Sequence, residues 1–103
     1  MPPKTKVTKE ELVKAATEVV RRNGAAALNA RTVAAEAACS TQPVFSNFST
    51  MEELRAAVLR QADCVLKEYI EKETESGRFP PYKASGMGYI RFAKEEKELF
   101  KLL

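Results

Sequence analysis

The stretch NARTVAAEAACSTQPVFSNF, from Asn29 to Phe48, predicts two short helices separated by a few small residues. In its second half, Val44 and Phe48 are four residues apart and therefore share one helical face. A helix this short does not persist in isolation, because nucleation is costly and too few turns follow it. We therefore expect Val44 and Phe48 to clamp the second helix against its neighbours while its polar side faces outward.

The polar side of this second helix carries amide and hydroxyl groups. At about 100° per residue, the positions opposite the apolar pair are Gln42, Pro43 and Ser46. Phe45 and Asn47 flank them. Such groups can pair with base edges in the major groove of DNA, but they also occur on the surface of an ordinary helical domain. The stretch alone leaves both interpretations open.

The residues before this stretch predict an arm and one helix. Residues 1–6, MPPKTK, are basic and proline-rich, which favours a flexible arm. The first helix is expected over Val7 to Gly24, with a capping box formed by Thr8 and Glu11. Gly24 then stops the helix.

The residues after the stretch predict further helices. Thr50 to Glu53 has the spacing of a second capping box and opens a long fourth helix that ends at Ser76-Gly77. Consecutive prolines in RFPPY, residues 78–82, predict a stiff non-helical connector. A fifth helix is expected over about Ala84 to Lys94. Residues 95–103 begin a further amphipathic segment whose large apolar side chains need a partner, which predicts that the chain is a fragment.

Composition excludes several classes of function. The chain has 103 residues, 17 Lys plus Arg against 14 Asp plus Glu, and no His. It lacks the common general base and the commonest transition-metal ligand, and it contains no familiar catalytic motif. We therefore expect no enzyme, no cofactor and no metal site. A net charge of +3 is compatible with nucleic acid as a partner.

The two cysteines and the hydropathy point to an intracellular protein. Cys39 and Cys64 lie among small or apolar neighbours, and we expect both to be buried rather than bonded to each other. No run of 18 apolar residues and no signal peptide is evident. The predicted location is the cytoplasm, with no membrane contact.

The order and spacing of these elements resemble a known family. The capped first helix, the segment LNARTVAAEAACSTQPVFSNFSTMEEL and the long fourth helix are similar to the DNA-binding domain of TetR/AcrR-family transcriptional regulators. The resemblance covers residues 7–66, with a helix-turn-helix motif at 29–48. Residues 67–103 resemble the linking helix and an incomplete ligand-binding and dimerisation region. The fold class expected is all-α: a three-helix DNA-binding domain, a long fourth helix and the first helices of a regulatory bundle.

The resemblance also implies roles for individual residues. Base contacts are expected at Thr41, Gln42, Pro43, Ser46 and Asn47. Phosphate contacts are expected at Lys4, Lys6, Arg31, Phe45 and Thr50. Ligand-binding residues are expected at Phe79, Tyr82 and Met87.

Three residues depart from the family pattern. Phe45 stands where the family usually has a Tyr that donates to a phosphate. Met51 stands where a phosphate-binding Lys is common. Ala38 replaces the usual turn glycine, and a non-Gly residue in a left-handed conformation costs about 1–2 kcal/mol. Fewer contacts to the DNA backbone are therefore expected here than in a typical member.

The resemblance implies sequence-specific binding to a palindromic double-stranded operator by a repressor that a small ligand releases. It further implies a homodimer for the full-length protein, whereas we expect the fragment to be a monomer or a loose association. The first alternative is a helical protein-interaction module that does not bind DNA. The second is an enzyme or ligand carrier that uses the region of the expected ligand-binding residues.

Overall fold

The computed structural model describes residues 6–103, and in this range the chain is all-α, as predicted. Lys4 and the other arm residues before Lys6 lie outside the described range. Between residues 6 and 103 there is no β-strand. These residues form α1 (Lys9–Asn23), a 3-10 helix (Ala25–Ala27), α2 (Ala30–Glu36), α3 (Gln42–Asn47), α4 (Met51–Ser76), α5 (Pro81–Glu95) and α6 (Lys97–Phe100).

A single hydrophobic core connects all six α-helices. Its largest fully buried side chains come from the two ends of the chain as well as from the middle: Leu12, Leu54, Phe92 and Leu99. Residues 7–66 and residues 67–103 therefore share one core.

α1 begins after Thr8 because the predicted capping box is present. Thr8 Oγ1 accepts a hydrogen bond from the Glu11 N–H at 3.1 Å, and the Glu11 carboxylate accepts one from the Thr8 N–H at 3.2 Å. The helix ends at Gly24, which has φ 87° and donates its N–H to the Val20 carbonyl. The observed helix is slightly shorter than predicted at both ends.

A tight turn separates α2 from α3. The Cys39 N–H donates to the Ala34 carbonyl at 3.0 Å, and the Ala38 N–H donates to the Ala35 carbonyl at 3.2 Å. This pair of bonds is the Schellman motif, which needs a left-handed residue just past the helix. Ala38 takes that conformation with φ 56°. The alanine at this turn therefore carries the backbone strain that its sequence position predicts.

α4 is the longest element, and only half of its predicted capping box forms. Thr50 Oγ1 accepts a hydrogen bond from the Glu53 N–H at 3.2 Å. The Glu53 carboxylate, however, accepts the N–H of Ser49 instead of that of Thr50. The helix continues to Ser76 and ends at Gly77, which has φ 70°. Both ends of α4 agree with the prediction.

The predicted non-helical connector at residues 78–82 is wrong for Pro81 and Tyr82, which belong to α5. Pro81 is the first residue of the helix, where its missing N–H removes no helical hydrogen bond and its fixed φ suits the helix. The Pro80 carbonyl accepts the first such bond, from the Ala84 N–H at 2.8 Å. The proline pair therefore starts the helix instead of excluding it.

α5 crosses α4 at very short range. A Cβ atom on Gly88 would lie only 2.6 Å from Ile70 Cα. Ala84, one turn earlier, is fully buried. One turn later, the Phe92 ring meets the Tyr69 ring edge to face, with 5.8 Å between centroids. The spacing of Ala84 and Gly88 predicts such a close crossing, and the structure confirms it.

The close crossing predicts opposite changes in stability for two glycine-to-alanine variants of α5. Gly88→Ala should destabilise the protein by about 1–3 kcal/mol, because the new methyl group meets the backbone of Ile70 rather than a side chain that can move. The matched control is Gly86→Ala, on the same helix, where a Cβ would have no atom within 4 Å. There, replacing glycine inside a helix should stabilise by up to about 1 kcal/mol. Urea unfolding measures both, and a Gly88→Ala variant as stable as the unaltered chain would contradict the close crossing.

α6 folds back onto α1. Leu99 is fully buried in the shared core. Arg21 of α1 donates from Nε to the Glu96 carboxylate at 3.1 Å and from Nη1 to the Glu18 carboxylate at 2.7 Å. Burial acts to lower the pKa of Arg21, but the hydrogen bonds to Glu18 and Glu96 outweigh it and the pKa is raised. The guanidinium therefore holds α1 to the segment that precedes α6.

The apolar residues at positions 95–103 are predicted to need a partner. Leu99 finds one within the chain, since it is buried in the shared core. Phe100 and Leu103 remain 36% and 47% exposed. Only part of this segment's apolar surface is therefore left open.

Both cysteines are less buried than predicted. Cys39 is half-buried and Cys64 is exposed. On α4 the buried stripe passes through Val58, Ala62 and Val65, at the spacing of one helical face. Cys64 lies about 100° away from Val65 around the helix, and it therefore faces solvent.

Candidate nucleic-acid interface

The short helix α3 is held by its two large apolar side chains. Val44 is 2% exposed and Phe48 is 4% exposed, and both belong to the shared core. Phe48 also ends the helix, donating its N–H to the Val44 carbonyl at 2.9 Å. Lys9 of α1 places its Nζ 5.2 Å from the centre of the Phe48 ring. The side chains predicted to clamp α3 are therefore buried.

The outward side of α3 presents polar groups and one aromatic ring. Gln42 and Ser46 are exposed, and the Phe45 ring is 65% exposed. Thr41 occupies the N-cap position, but its side chain makes no capping hydrogen bond. The Thr41 hydroxyl therefore remains available to a ligand at the N-terminal end of α3.

Two of the predicted base-contact residues are less available than expected. Pro43 and Asn47 are both half-buried. Asn47 Nδ2 donates to the Pro43 carbonyl at 2.8 Å, because residues four apart meet on one side of a helix. One amide N–H of Asn47 is thus used within α3. Gln42, Ser46 and Thr41 remain the more accessible polar groups of this helix.

A shallow depression of about 560 Å³ lies between the start of α2 and α3. It is lined by Asn29, Ala30, Arg31, Thr41 and Phe45. Three residues with predicted DNA contacts therefore meet at one surface feature: Arg31 of α2, the N-cap residue Thr41, and Phe45 of α3. Arg31 is exposed and makes no ion pair with another residue of the range 6–103. Its guanidinium is free to bind an external anion, which it can do in a bidentate manner.

Asn29 caps the helical turn that carries Arg31. Its Oδ1 accepts the Thr32 N–H at 2.9 Å, and Thr32 Oγ1 accepts the Asn29 N–H at 3.1 Å. This reciprocal cap fixes the first turn of α2, where Arg31 lies. Sequence reasoning predicts the cap but does not place Asn29 in the depression.

The start of α4, where a phosphate contact by Thr50 is predicted, already has hydrogen bonds within the chain. Thr50 Oγ1 already accepts the Glu53 N–H, and the Glu53 carboxylate takes the N–H of Ser49. Thr50 keeps its own hydroxyl proton for donation. A carboxylate close to the start of α4 also opposes the binding of a second anion there.

Lysines supply the remaining positive charge near α3. Lys6 is exposed, as its predicted role requires, whereas Lys4 lies outside the described residues. Lys9 has no predicted role, yet its ammonium lies over Phe48, at the junction of α3 and α4. No sequence pattern links Lys9 to Phe48, since the contact arises only from packing of α1 on the core. Lys9 is therefore an additional candidate for a phosphate contact.

The predicted ligand-binding residues do not all meet. Phe79 and Met87 line one pocket between the end of α4 and α5. Tyr82 lies outside it and is 83% exposed. Tyr82 belongs to the first turn of α5 instead of a connector, and its side chain projects into solvent rather than into this pocket. A ligand contact at Tyr82 stays a prediction.

No group of three or more His, Cys, Asp or Glu side chains within residues 6–103 is arranged to hold a metal ion. None of the helices in this range combines the length and apolar character that crossing a bilayer demands.

Comparisons with known proteins found no match: no protein-family model, no curated protein and no solved structure is similar to this chain.

Proposed function

We propose that this chain is a sequence-specific double-stranded DNA-binding regulator of transcription, with α2, the turn at Ala38 and α3 acting as a helix-turn-helix. The observation that carries the proposal is the division of α3 into two sides. Val44 and Phe48 are buried, whereas Gln42 and Ser46 are exposed. A short helix held this way can enter a major groove without losing its packing.

Affinity and selectivity would come from different groups. Arg31, Lys6 and Lys9 are cations that can neutralise phosphates, which supplies binding without reading the sequence. Gln42 carries both a donor and an acceptor and can pair with adenine in the major groove. Base choice is therefore assigned to the exposed groups of α3, with Gln42 as the main reader.

The exposed ring of Phe45 suits a different contact from the one implied by family resemblance. Without a hydroxyl group it cannot donate to a phosphate. An apolar ring can instead contact the methyl group of thymine in the major groove. Phe45 is thus assigned to base choice together with Gln42.

The regulatory part of the proposal rests on the TetR/AcrR resemblance. It comprises repression of transcription, release by a small ligand, and a two-fold dimer of the full-length protein on a palindromic operator. Such a dimer places two recognition helices about 34–36 Å apart, in successive major grooves. Release requires a ligand that favours a conformer with a different spacing.

The experiment begins with selection of bound fragments from random duplex DNA, followed by titration of a preferred and a scrambled duplex at one salt concentration. Gln42→Ala should lower affinity for the preferred duplex by about 1–3 kcal/mol and leave scrambled-duplex binding nearly unchanged. Arg31→Ala should weaken both about equally. Both residues are exposed, so neither variant should unfold.

Two outcomes count against the proposal. Failure of the selection to enrich any sequence removes sequence-specific binding altogether. Equal loss on both duplexes for Gln42→Ala removes Gln42 as the reader while leaving DNA binding intact.

One observation favours the alternative of a protein-interaction module. Leu59, Leu102 and Leu103 line an open apolar groove beside Arg60 and Asp63. Exposed apolar clusters rimmed by polar residues are typical of protein contacts. This alternative predicts an association that responds little to salt and needs no DNA.

A further inference from the structure

The first helix ends in an Asn-Gly pair, formed by Asn23 and Gly24. The Asn23 side chain is exposed, and it is the one asparagine of the chain that precedes a glycine. Asn29 precedes an alanine and Asn47 a phenylalanine. A backbone nitrogen can attack the side-chain carbonyl of a preceding asparagine, and glycine hinders this attack least because it has no Cβ. The end of α1 therefore carries the groups for a spontaneous covalent reaction.

The fold itself requires the glycine of this pair. Gly24 ends α1 with φ 87°, a backbone conformation that residues with a Cβ rarely adopt. A Cβ at this position would also lie 3.1 Å from Glu98 Oε1, in α6. The Asn-Gly pair is thus built into the place where the end of α1 meets α6, which we call the α1–α6 junction (residues 21–24 and 96–98).

The same fold restrains the reaction. Gly24 is buried, and its N–H donates to the Val20 carbonyl at 2.8 Å, so a base cannot easily remove that proton. Ring closure also needs rotation about the Cα–C bond of Asn23, whose backbone is held in the last turn of the helix. Helix ends open locally at a low cost in free energy. The reaction should therefore proceed from molecules in which this last turn is open.

Contacts from the segment before α6 keep the last turn closed. The Arg21 guanidinium donates from Nε to the Glu96 carboxylate at 3.1 Å, and the Glu96 side chain is only 17% exposed. A slow reaction from a rapidly opening segment has a rate proportional to the open population. Loss of the Glu96 contact should therefore raise the reaction rate.

We propose that Asn23 is a site of spontaneous deamidation, at a rate set by opening of the α1–α6 junction. The Gly24 nitrogen loses its proton to a base and attacks Asn23 Cγ. A bond from that nitrogen to Cγ forms, the bond from Cγ to the side-chain nitrogen breaks, and ammonia leaves with the proton. The product is a cyclic succinimide.

Water completes the reaction without any change in oxidation state. Attack on Cγ of the succinimide gives aspartate, and attack on the main-chain carbonyl carbon gives isoaspartate. Either product lowers the net charge of +3 by one unit. Isoaspartate also leads the main chain through the former side chain, so the Gly24 N–H can no longer meet the Val20 carbonyl in the same geometry. The site uses no residue of α2 or α3, so it stands whether or not the chain binds DNA.

The first test compares the folded chain with the unfolded chain. Both are incubated without DNA at the same mildly alkaline pH and temperature, one in buffer and one in guanidinium chloride. Peptide mass spectrometry then follows each asparagine, since conversion of an amide to a carboxylate changes the mass. In guanidinium chloride, Asn23 should convert faster than Asn29 and Asn47. In buffer, Asn23 should still convert, but at least about twofold more slowly, the minimum effect of one hydrogen bond.

A first variant identifies the attacking atom. Gly24→Ala, measured in guanidinium chloride, should slow conversion of Asn23 to the rate of Asn29, which already precedes an alanine. Because the chain is unfolded in this measurement, the result does not depend on whether the variant folds.

A second pair of variants tests the junction. Glu96→Gln should speed conversion of Asn23 in the folded chain by about two- to tenfold, the range expected for loss of one charge-assisted hydrogen bond. It should leave the rate in guanidinium chloride unchanged. The matched control Glu52→Gln removes a carboxylate that pairs with Arg55 within α4, at 3.6 Å, and both rates should stay the same. Circular dichroism checks that both variants keep their helix content.

Four results would overturn the proposal: conversion of Asn23 no faster than that of Asn29 in guanidinium chloride, no conversion of Asn23 in the folded chain, equal rates for Asn23 in the folded and unfolded chain, or equal rates for the two glutamate variants in buffer. Since DNA is absent from every measurement, none of these results bears on the proposed DNA binding.

Discussion

Phe48→Ala is expected to lower the free energy of unfolding by about 3–5 kcal/mol, because removing a fully packed aromatic ring leaves a cavity as well as losing buried surface. Phe48 is 4% exposed in the shared core, and it holds both the end of α3 and the approach to α4. Since small domains have a total stability of only about 5–15 kcal/mol, the loss should shift the denaturant midpoint markedly. Urea unfolding followed by circular dichroism provides the measurement.

The same helix contains its own control. Phe45 is three residues earlier and 65% exposed, so Phe45→Ala deletes an identical group from the opposite side. A surface substitution of this kind should change stability by no more than about 0.5 kcal/mol. Equal midpoints for the two variants would show that the buried side of α3 is assigned wrongly, and the proposed reading surface would then be wrong as well.

The second large effect is on binding to duplex DNA. Two or three phosphate contacts per chain predict that affinity falls about ten- to fortyfold when salt rises from about 50 to about 200 mM, because each neutralised phosphate releases counterions. Arg31 is the strongest described candidate, since it is exposed and has no ion pair within the range 6–103. Fluorescence anisotropy of a labelled duplex measures the slope of log affinity against log salt.

Two charge-removing variants test whether Arg31 contributes to the salt dependence of DNA affinity. Arg31→Ala should reduce that slope by about one. Lys67→Ala removes the same charge from an exposed site on α4, where Lys67 pairs with Asp63 at 3.0 Å, and it should leave the slope unchanged. If the slope is flat for the unaltered chain, or if both variants reduce it equally, phosphate contact at Arg31 is contradicted.

The ends of the long helices were predictable because short-range chemistry sets them. The cap at Thr8 needs only a carboxylate three residues later, and the stop at Gly77 needs only a residue that tolerates a left-handed backbone. The strain at Ala38 follows from the same local logic. These features depend on neighbours in the sequence, and the structure reproduces them.

Other features depend on the position of a residue in its helix or on contacts with residues distant in the sequence. Consecutive prolines predict a non-helical connector, whereas Pro81 begins α5, because the first helical position tolerates proline. The apolar residues beside Cys64 in the sequence predict that it is buried, whereas α4 turns its side chain to solvent. The burial of Leu99 requires knowing that α6 returns to α1, and no local pattern reports that return.

In the candidate site, too, some features follow from sequence spacing and others only from packing. The buried pair Val44 and Phe48 follows from helical spacing alone. The hydrogen bond from Asn47 to the Pro43 carbonyl, and the position of Lys9 over Phe48, follow from side-chain conformation and packing. Sequence reasoning therefore finds the exposed side of α3 but not which of its amides are already used.

The return of α6 to α1 has a consequence for biosynthesis. The ion pair between Arg21 and Glu96 joins residues 75 positions apart. At about 5–20 residues per second, a ribosome needs about 4–15 s to add the intervening chain. During that interval α6 is not yet available to pack on α1, and the long loop must close before the contact can form. Until Leu99 has been synthesised, the side of α1 that faces α6 in the finished fold therefore lacks this contact in a nascent chain.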